Sequence, residues 1–273
     1  MAYSCKILAD SVNPYDCRLT TFEITYPRMV LAELNTHRVF SRNAASSRAI
    51  PVQKLIDRVE TDPVMPVWWG KNQPGMSAKE ELTGEELRLA KEAWLIARDN
   101  AVINAKRMLD IGMHKQIVNR LLEPWMWVTN ILTATEFNNF YALRCHPDAQ
   151  PEIKVIAEMM RETQAKSTPT YLESDEWHLP LVPDFEELKA AGYDIDDIVK
   201  IACGRAARVS YLTHDGKREP SADIELHDKL QTSGHMSPFE HCAMSQSSDY
   251  FYGNLRGFKQ YRKFLSNEAE FQG

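Results

Sequence analysis

Apolar residues recur along this chain with two different periods. Residues 17–26 (CRLTTFEITY) are dense in β-branched and aromatic side chains and predict a strand. Pro27 suits the first turn of a helix that runs through Met29, Val30, Leu31 and Leu34 towards Arg38. Residues 41–47 show no period and predict an irregular connection. Residues 62–77 hold Pro63, Pro66, Trp68, Trp69, Gly70, Pro74 and Gly75 and predict a long loop. Its aromatics, if exposed, would suit a lid or a subunit contact. Thr83 and Glu86 form a capping box ahead of a long helix. Leu87, Ala90, Trp94, Ala97, Ala101, Ala105 and Met108 mark its apolar face. A buried strand is expected over 125–132 and helices over 136–144 and 148–164. Prolines near 179–183 set off a C-terminal block, with helices over 195–208 and 223–231, a strand over 239–248 and a last helix over 255–265. The expected class is α+β, an antiparallel sheet core flanked by helices. Residues 1–273 are expected to form a single domain, with one part to residue 180 and a second over 181–273.

Composition narrows the function. Hydrophobic residues make up 44% and charged residues 26%, the balance of an ordinary globular protein. The net charge of -6 argues against a nucleic acid polymer as partner, although a local basic pocket for a small phosphate stays open. The five cysteines are odd in number and form no C-x-x-C pair, so a disulfide framework is not expected and a reducing cytoplasm fits. No apolar leader is expected at the N-terminus, and no apolar run approaches the length of a membrane span.

Three stretches carry candidate chemistry. Residues 36–48 (THRVFSRNAASSR) gather three arginines, a histidine, an asparagine and three serines. Guanidinium forks and short hydroxyl donors suit phosphate and carbonyl oxygens; the alternative is a solvated polar loop. On a helix, Phe140 and Arg144 are four residues apart and share a face, with Asn139 on a neighbouring one. Amide, guanidinium and ring suit a heterocycle with carbonyl and imide edges; the alternative is an arginine lying over the core. The third stretch joins residues 205–211 (RAARVSY) to 234–241 (GHMSPFEH). His235 and His241 match no common zinc spacing, so no metal is expected. Cys145 and His146 are sequence neighbours that point about 100° apart on a helix, a poor nucleophile and base pair.

Together these blocks resemble the flavin-dependent thymidylate synthase family. His37, Arg38, Ser41, Asn43, Ser46 and Arg48 fall on the family's arginine-rich signature. Thr36 stands in place of its first arginine, Ala44 in place of an acid, and Glu33 in place of a glutamine before it. Asn139, Phe140, Leu143 and Arg144, followed by Ala149, Gln150, Glu152 and Ile153, are similar to the family's pyrimidine helix. Arg120, ahead of Pro124, resembles its phosphate-binding arginine. Residues 206–211 and 237–241 are similar to blocks that precede the signature in the family and follow it here, so a circularly permuted or rearranged fold is implied.

The resemblance implies transfer of a one-carbon unit from methylenetetrahydrofolate to C5 of deoxyuridine monophosphate, giving thymidylate, with FAD as cofactor and NADPH as reductant. It implies Arg144 as the catalytic, pyrimidine-polarising residue. Arg38, Ser46, Arg48 and Arg120 would hold the nucleotide; His37, Arg38, Asn43, Asn139, Ser210, Ser237 and Glu240 would hold the flavin. It also implies a cytoplasmic homotetramer. The departures at Thr36 and Ala44 leave two alternatives open: hydroxymethylation of a pyrimidine deoxynucleotide, or a non-catalytic homologue that binds flavin or nucleotide.

Overall fold

The computed structural model describes residues 2–211 and 219–270. Its elements run β1 Ser4–Val12, β2 Arg18–Pro27, α1 Leu31–Asn35, β3 Ser41–Ala44, α2 Val52–Thr61, α3 Gly84–Asp110 and α4 Lys115–Val118. They continue with β4 Trp127–Ala134, α5 Asn138–Arg144, α6 Pro151–Lys166, β5 Thr170–Tyr171, β6 Trp177–His178, α7 Phe185–Ala190 and α8 Ile195–Tyr211. The chain closes through α9 Pro220–Thr232, β7 Ala243–Ser245, β8 Phe251–Tyr252, β9 Leu255–Arg256 and β10 Phe258–Gln260. Short 3-10 segments precede α1 and β4, and two more lie at Ser237–Glu240 and Tyr261–Phe264. The fold is mixed α+β, as the sequence predicts.

The main sheet has the order β3-β4-β2-β1-β5, antiparallel except for the parallel β1–β5 edge. Its two faces differ because the strand period is two. Phe22, Ile24 and Tyr26 of β2 and Val128, Leu132 and Ala134 of β4 join the core beneath α5 and α6. Each such fully buried side chain contributes roughly 1.5–3 kcal/mol. The opposite face is rich in threonine. Thr21 and Thr133 bond hydroxyl to hydroxyl at 2.8 Å, and Thr25 and Thr129 at 3.0 Å. Ile131 on this face packs against Ala206 and Val209 of α8.

A polar face can be buried only if its groups are paired. The C-terminal block and β6, which immediately precedes it, supply the partners. His178 bonds Ser11 Oγ through Nδ1 and Thr21 Oγ1 through Nε2, both at 2.8 Å. His241 Nδ1 meets Thr133 Oγ1 at 2.8 Å. Ser11, His178, Thr21, Thr133 and His241 thus form one buried chain of hydrogen bonds, and His241 Nε2 ends it without a partner among the described residues. Asn13 donates to the carbonyls of Gln246, Ser248 and Gly257.

The C-terminal block has its own apolar core of Ile198, Val199, Ala202, Cys203, Leu230 and Phe239. An ionic clamp ties α8 to α9. Arg205, 5% exposed, grips both Asp184 oxygens and reaches Asp223, which also takes Arg208. Gly204 permits the approach, because a Cβ there would overlap the Asp223 carbonyl.

Four local expectations are corrected. Residues 41–47 are not wholly irregular: β3 pairs with β4, from Ser41 opposite Thr133 to Ala44 opposite Asn130. Thr83 precedes α3 but makes no side-chain cap bond. The strand expected over 239–248 shrinks to β7, because 237–240 coils as a 3-10 turn. The helix expected over 255–265 is β9, β10 and a 3-10 turn; Gly257, at φ +70°, breaks it where Cys17 and Asn13 press close.

Burial holds both His178 and His241 neutral, with pKa values pushed down to about 3 from 6.5. The unfolded chain therefore binds more protons than the folded one between those values. Stability is full above about pH 6.5 and falls with pH through that window, at about 1.4 kcal/mol per pH unit for each histidine. Urea midpoints between pH 7 and 4.5 should decline steadily, and less steeply in His178→Gln; a flat profile would contradict the assignment.

Candidate active site

The signature residues flank β3. Before it, α1 ends in a turn that brings His37 under Phe40 and Phe140, with ring centres 5.7 and 4.9 Å away. Arg144, the last residue of α5, donates from Nε to His37 Nε2 at 2.9 Å. His37 must accept this bond, so it is neutral and protonated on Nδ1. Burial, then the charges of Arg144 and Arg42, lowers its pKa to about 4. Arg144 Nη2 also reaches Thr36 Oγ1 at 3.3 Å and the Glu33 carbonyl at 3.4 Å. The guanidinium therefore rests on the carbonyl end of α1, a favourable place for positive charge. Among the described residues, Arg144 Nη1 has no hydrogen-bond partner.

Thr36 has a physical role at this point. An arginine there would set a second guanidinium beside Arg144, whereas the threonine hydroxyl accepts from it. Glu33 meets Arg144 through its main-chain carbonyl.

Arg42 lies between the signature and the C-terminal block. Its Nη1 caps the end of α1 by donating to the Asn35 carbonyl at 2.7 Å. Burial lowers its pKa, and the nearby Glu240 carboxylate opposes that shift. Glu240 also pairs with Arg262. Ser41 Oγ accepts from Gln260 Nε2 at 2.7 Å and Asn254 Nδ2 at 3.0 Å. Asn43 Nδ2 donates to the Ala206 carbonyl at 2.7 Å, joining β3 to α8.

Beyond β3 lies a second polar cluster. Ser47 is buried, and its hydroxyl donates to Glu123 Oε1 at 2.9 Å. Arg120 Nη1 approaches the same oxygen at 2.7 Å and Arg28 Nε at 3.0 Å. Ser46 is half-buried beside Ser47, and Arg48 is exposed.

The sequence-predicted residues are thus distributed unevenly. His37 comes together with Arg144, and Asn43 with the α8 carbonyl of Ala206; Glu240 pairs with Arg262, and Arg120 reaches Ser47 through Glu123. Arg38, Arg48, Asn139 and Ser237 present exposed side chains, and no hydrogen bond or ion pair joins those side chains among the described residues. Ser210 ends α8, and its side chain lies outside the described residues. Arg28 and Glu123 escaped the sequence reading, although Arg120 and Glu123 are three residues apart, a spacing that places them side by side on a helical turn. Burial raises the pKa of the Cys145 thiol, which weakens it as a nucleophile.

The sequence profile of the thymidylate synthase complementing protein family matches residues 13–170, more than half of the chain. The chain belongs to that family. The match contains the signature, Arg120 and the α5 helix, and stops before the C-terminal block. No curated protein sequence matches. Among solved structures, the UMP/dUMP methylase PolB from Streptomyces cacaoi bound with 5-Br dUMP is 17% identical, with a TM-score of 0.51 over 60% of this chain and 90% of that one. The same methylase bound with 5-Br UMP gives a TM-score of 0.49 at 17% identity, over 60% and 89% of the two chains. The flavin-dependent thymidylate synthase ThyX from Helicobacter pylori complexed with FAD and dUMP gives 0.38 at 17% identity, over 54% and 67%. The first of these likenesses supports a shared fold.

Arg144→Met removes one of the charges that depress His37. The His37 pKa should then rise from about 4 towards 6.5 without reaching it, because burial by Phe40 and Phe140 remains. Titration of its imidazole by NMR measures the shift; an unmoved value would mean that Arg144 does not face His37.

Proposed function

We propose that this chain transfers a one-carbon unit from methylenetetrahydrofolate to C5 of deoxyuridine monophosphate, giving thymidylate. The observation that carries the reading is the Arg144–His37 pair, which joins the last residue of α5 to a signature histidine in the turn before β3. Arg144 is held from behind by a neutral acceptor and keeps Nη1 for a ligand. A guanidinium so held stabilises negative charge developing on a pyrimidine carbonyl without reorganising at the moment of reaction. Neutral His37 orients it without cancelling its charge.

Arg38, Ser46, Arg48 and Arg120 are assigned to the nucleotide. His37, Arg38, Asn43, Asn139, Ser210, Ser237 and Glu240 are assigned to FAD. The donor set suits an anionic dinucleotide: Arg38 and Asn139 are exposed donors beside the His37 turn and on α5. When bound, the flavin supplies redox chemistry, with NADPH as the source of electrons. The C-terminal block would complete that pocket in rearranged order, an inference supported by its hydrogen bonds to Ser41 and Asn43.

A homotetramer is part of the proposal. Leu89, Ile96 and Ile103 of α3, seven residues apart, are each about half exposed, at 50%, 55% and 47%, and form an unpaired apolar stripe suited to a subunit contact. Among the described residues no helix is long and apolar enough to cross a membrane.

A second reading is hydroxymethylation of a pyrimidine deoxynucleotide, favoured by Thr36, whose hydroxyl accepts from the proposed catalytic arginine. Incubation with deoxyuridylate, methylenetetrahydrofolate, NADPH and flavin, followed by product mass, separates the two. A thymidylate mass supports the first reading, and a hydroxymethyl mass selects the second. A colourless protein that takes up no flavin and yields neither product would overturn both in favour of a non-catalytic homologue.

Arg144→Ala should lower kcat by about 10²–10³-fold, the loss seen when one preorganised donor is removed. The circular dichroism spectrum should stay unchanged, since Arg144 lies at the protein surface. An undiminished kcat would remove Arg144 from the role.

A further inference from the structure

Three donor groups gather about a single carboxylate oxygen: Ser47 Oγ and Arg120 Nη1 hydrogen-bond to it, whereas buried Arg28 Nε is within ion-pair reach but has no hydrogen-bond partner among the described residues. Arg28 Nε, Ser47 Oγ and Arg120 Nη1 lie 3.0, 2.9 and 2.7 Å from Glu123 Oε1. Glu123 Oε2 accepts no hydrogen bond among the described residues. The cluster is graded from inside to outside. Ser47 is 1% exposed, the Arg28 side chain 12%, that of Glu123 26% and that of Arg120 49%. Asn119, itself fully buried, donates to the carbonyls of Ser47 and Ile50 at 2.6 and 2.9 Å, so the loop carrying these donors is fixed.

The charges do not balance. Two guanidiniums face one carboxylate, leaving one positive charge in a chain of net charge -6. Arg48, next to Ser47, adds an exposed guanidinium without an ion pair among the described residues. An ion cluster that served stability alone would be expected to use both carboxylate oxygens, as Asp184 does for Arg205. Donors crowded on one oxygen match a larger oxyanion better. A phosphate monoester offers three terminal oxygens and close to two negative charges, and would neutralise Arg28 and Arg120 together.

We propose that Glu123 is an internal occupant of the phosphate end of the nucleotide site. Its carboxylate holds Arg28, Ser47 and Arg120 where the substrate phosphate takes them, and it turns out to solvent when phosphate enters. This rests on the nucleotide reading given above and adds a specificity residue to it. Glu123 already sits on the partly exposed side of the cluster, so a side-chain rotation frees the donors without moving the backbone. An internal competitor lowers the apparent affinity for an external ligand by the fraction of molecules in which the donors are already taken. Glu123 therefore sets how strongly the site prefers a phosphorylated nucleoside to a bare one. Arg28 and Ser47, outside the resemblance to known phosphate ligands, become the inner donors of that site.

The test is calorimetric titration of the purified holoprotein with inorganic phosphate, deoxyuridylate and deoxyuridine. Glu123→Gln keeps the shape and removes the competing charge. It should bind inorganic phosphate and deoxyuridylate about tenfold more tightly than the parent, with deoxyuridine unchanged. Glu123→Asp keeps the charge but withdraws it by one methylene, and should fall between the two. Adding Arg120→Met to Glu123→Gln should abolish the gain, which a merely structural role for Glu123 would not predict. Phosphate binding that is unchanged or weaker in both Glu123 variants overturns the proposal. If phosphate binding tightens while neither nucleoside nor nucleotide binds any form, the nucleotide reading falls and the anion site stands. If deoxyuridylate binds every form equally and phosphate shows no gain, the internal-occupant proposal falls and the nucleotide reading stands.

Discussion

The chain of hydrogen bonds from Ser11 through His178, Thr21 and Thr133 to His241 is the interaction on which the architecture depends. It lies where the threonine face of the main sheet meets the C-terminal block. Each buried hydroxyl or imidazole left unpaired there would cost about 1–3 kcal/mol. The sheet therefore cannot bury this face against an arbitrary apolar surface; it needs donors and acceptors in matching register. β6 provides one at position 178, and the C-terminal block the rest at position 241, at the Ala206 carbonyl for Asn43 and at Gln260 for Ser41. Neutral imidazoles suit this chain because each offers one donor and one acceptor, so the hydrogens can all point the same way along it.

That seam also explains the position of the candidate site. β3 is an edge strand of the main sheet, and its inward polar side chains are held by α8 and β10 instead of by solvent. Its leading end carries His37 and its trailing end leads to Ser47, so both polar clusters are positioned by one short strand locked from both sides. Arg144 arrives from the opposite layer, on a helix anchored by Phe137 and Phe140 in the apolar core. The contact thus joins the end of a packed helix to a short turn held between α1 and β3.

Much of this was legible in the residues, in proportion to how regular each element is. β2, α5, α6, α8 and α9 were recognisable because their apolar positions follow one period. β3 was obscured because Ser41 and Asn43 are polar yet buried, and only a tertiary partner reveals that burial. The run from Leu255 to Leu265 has helix-like residues, but the left-handed turn at Gly257 is imposed by Cys17 and Asn13, far away in sequence. The N-terminal strand β1 was missed because its alternation is weak. At the site, His37 and Arg144 were identifiable from their motifs and their contact was not. Arg28 and Glu123 were invisible because nothing in their local sequence tells which arginine shares a carboxylate with which loop.

The seam joins residues far apart along the chain: Asn13 bonds the carbonyl of Gly257, 244 positions later. During synthesis the main sheet and its α5–α6 layer are complete once Tyr171 has emerged, but their threonine face lacks its His241, Asn254 and Gln260 partners until those later residues follow. A nascent chain at that stage would be an intermediate with one dry face and one hydrated face. Because the hydrated face is polar, that intermediate carries little exposed grease to aggregate while it waits. The same polarity that makes the finished seam demanding thus keeps the nascent chain soluble, at the cost of slow closure set by high contact order.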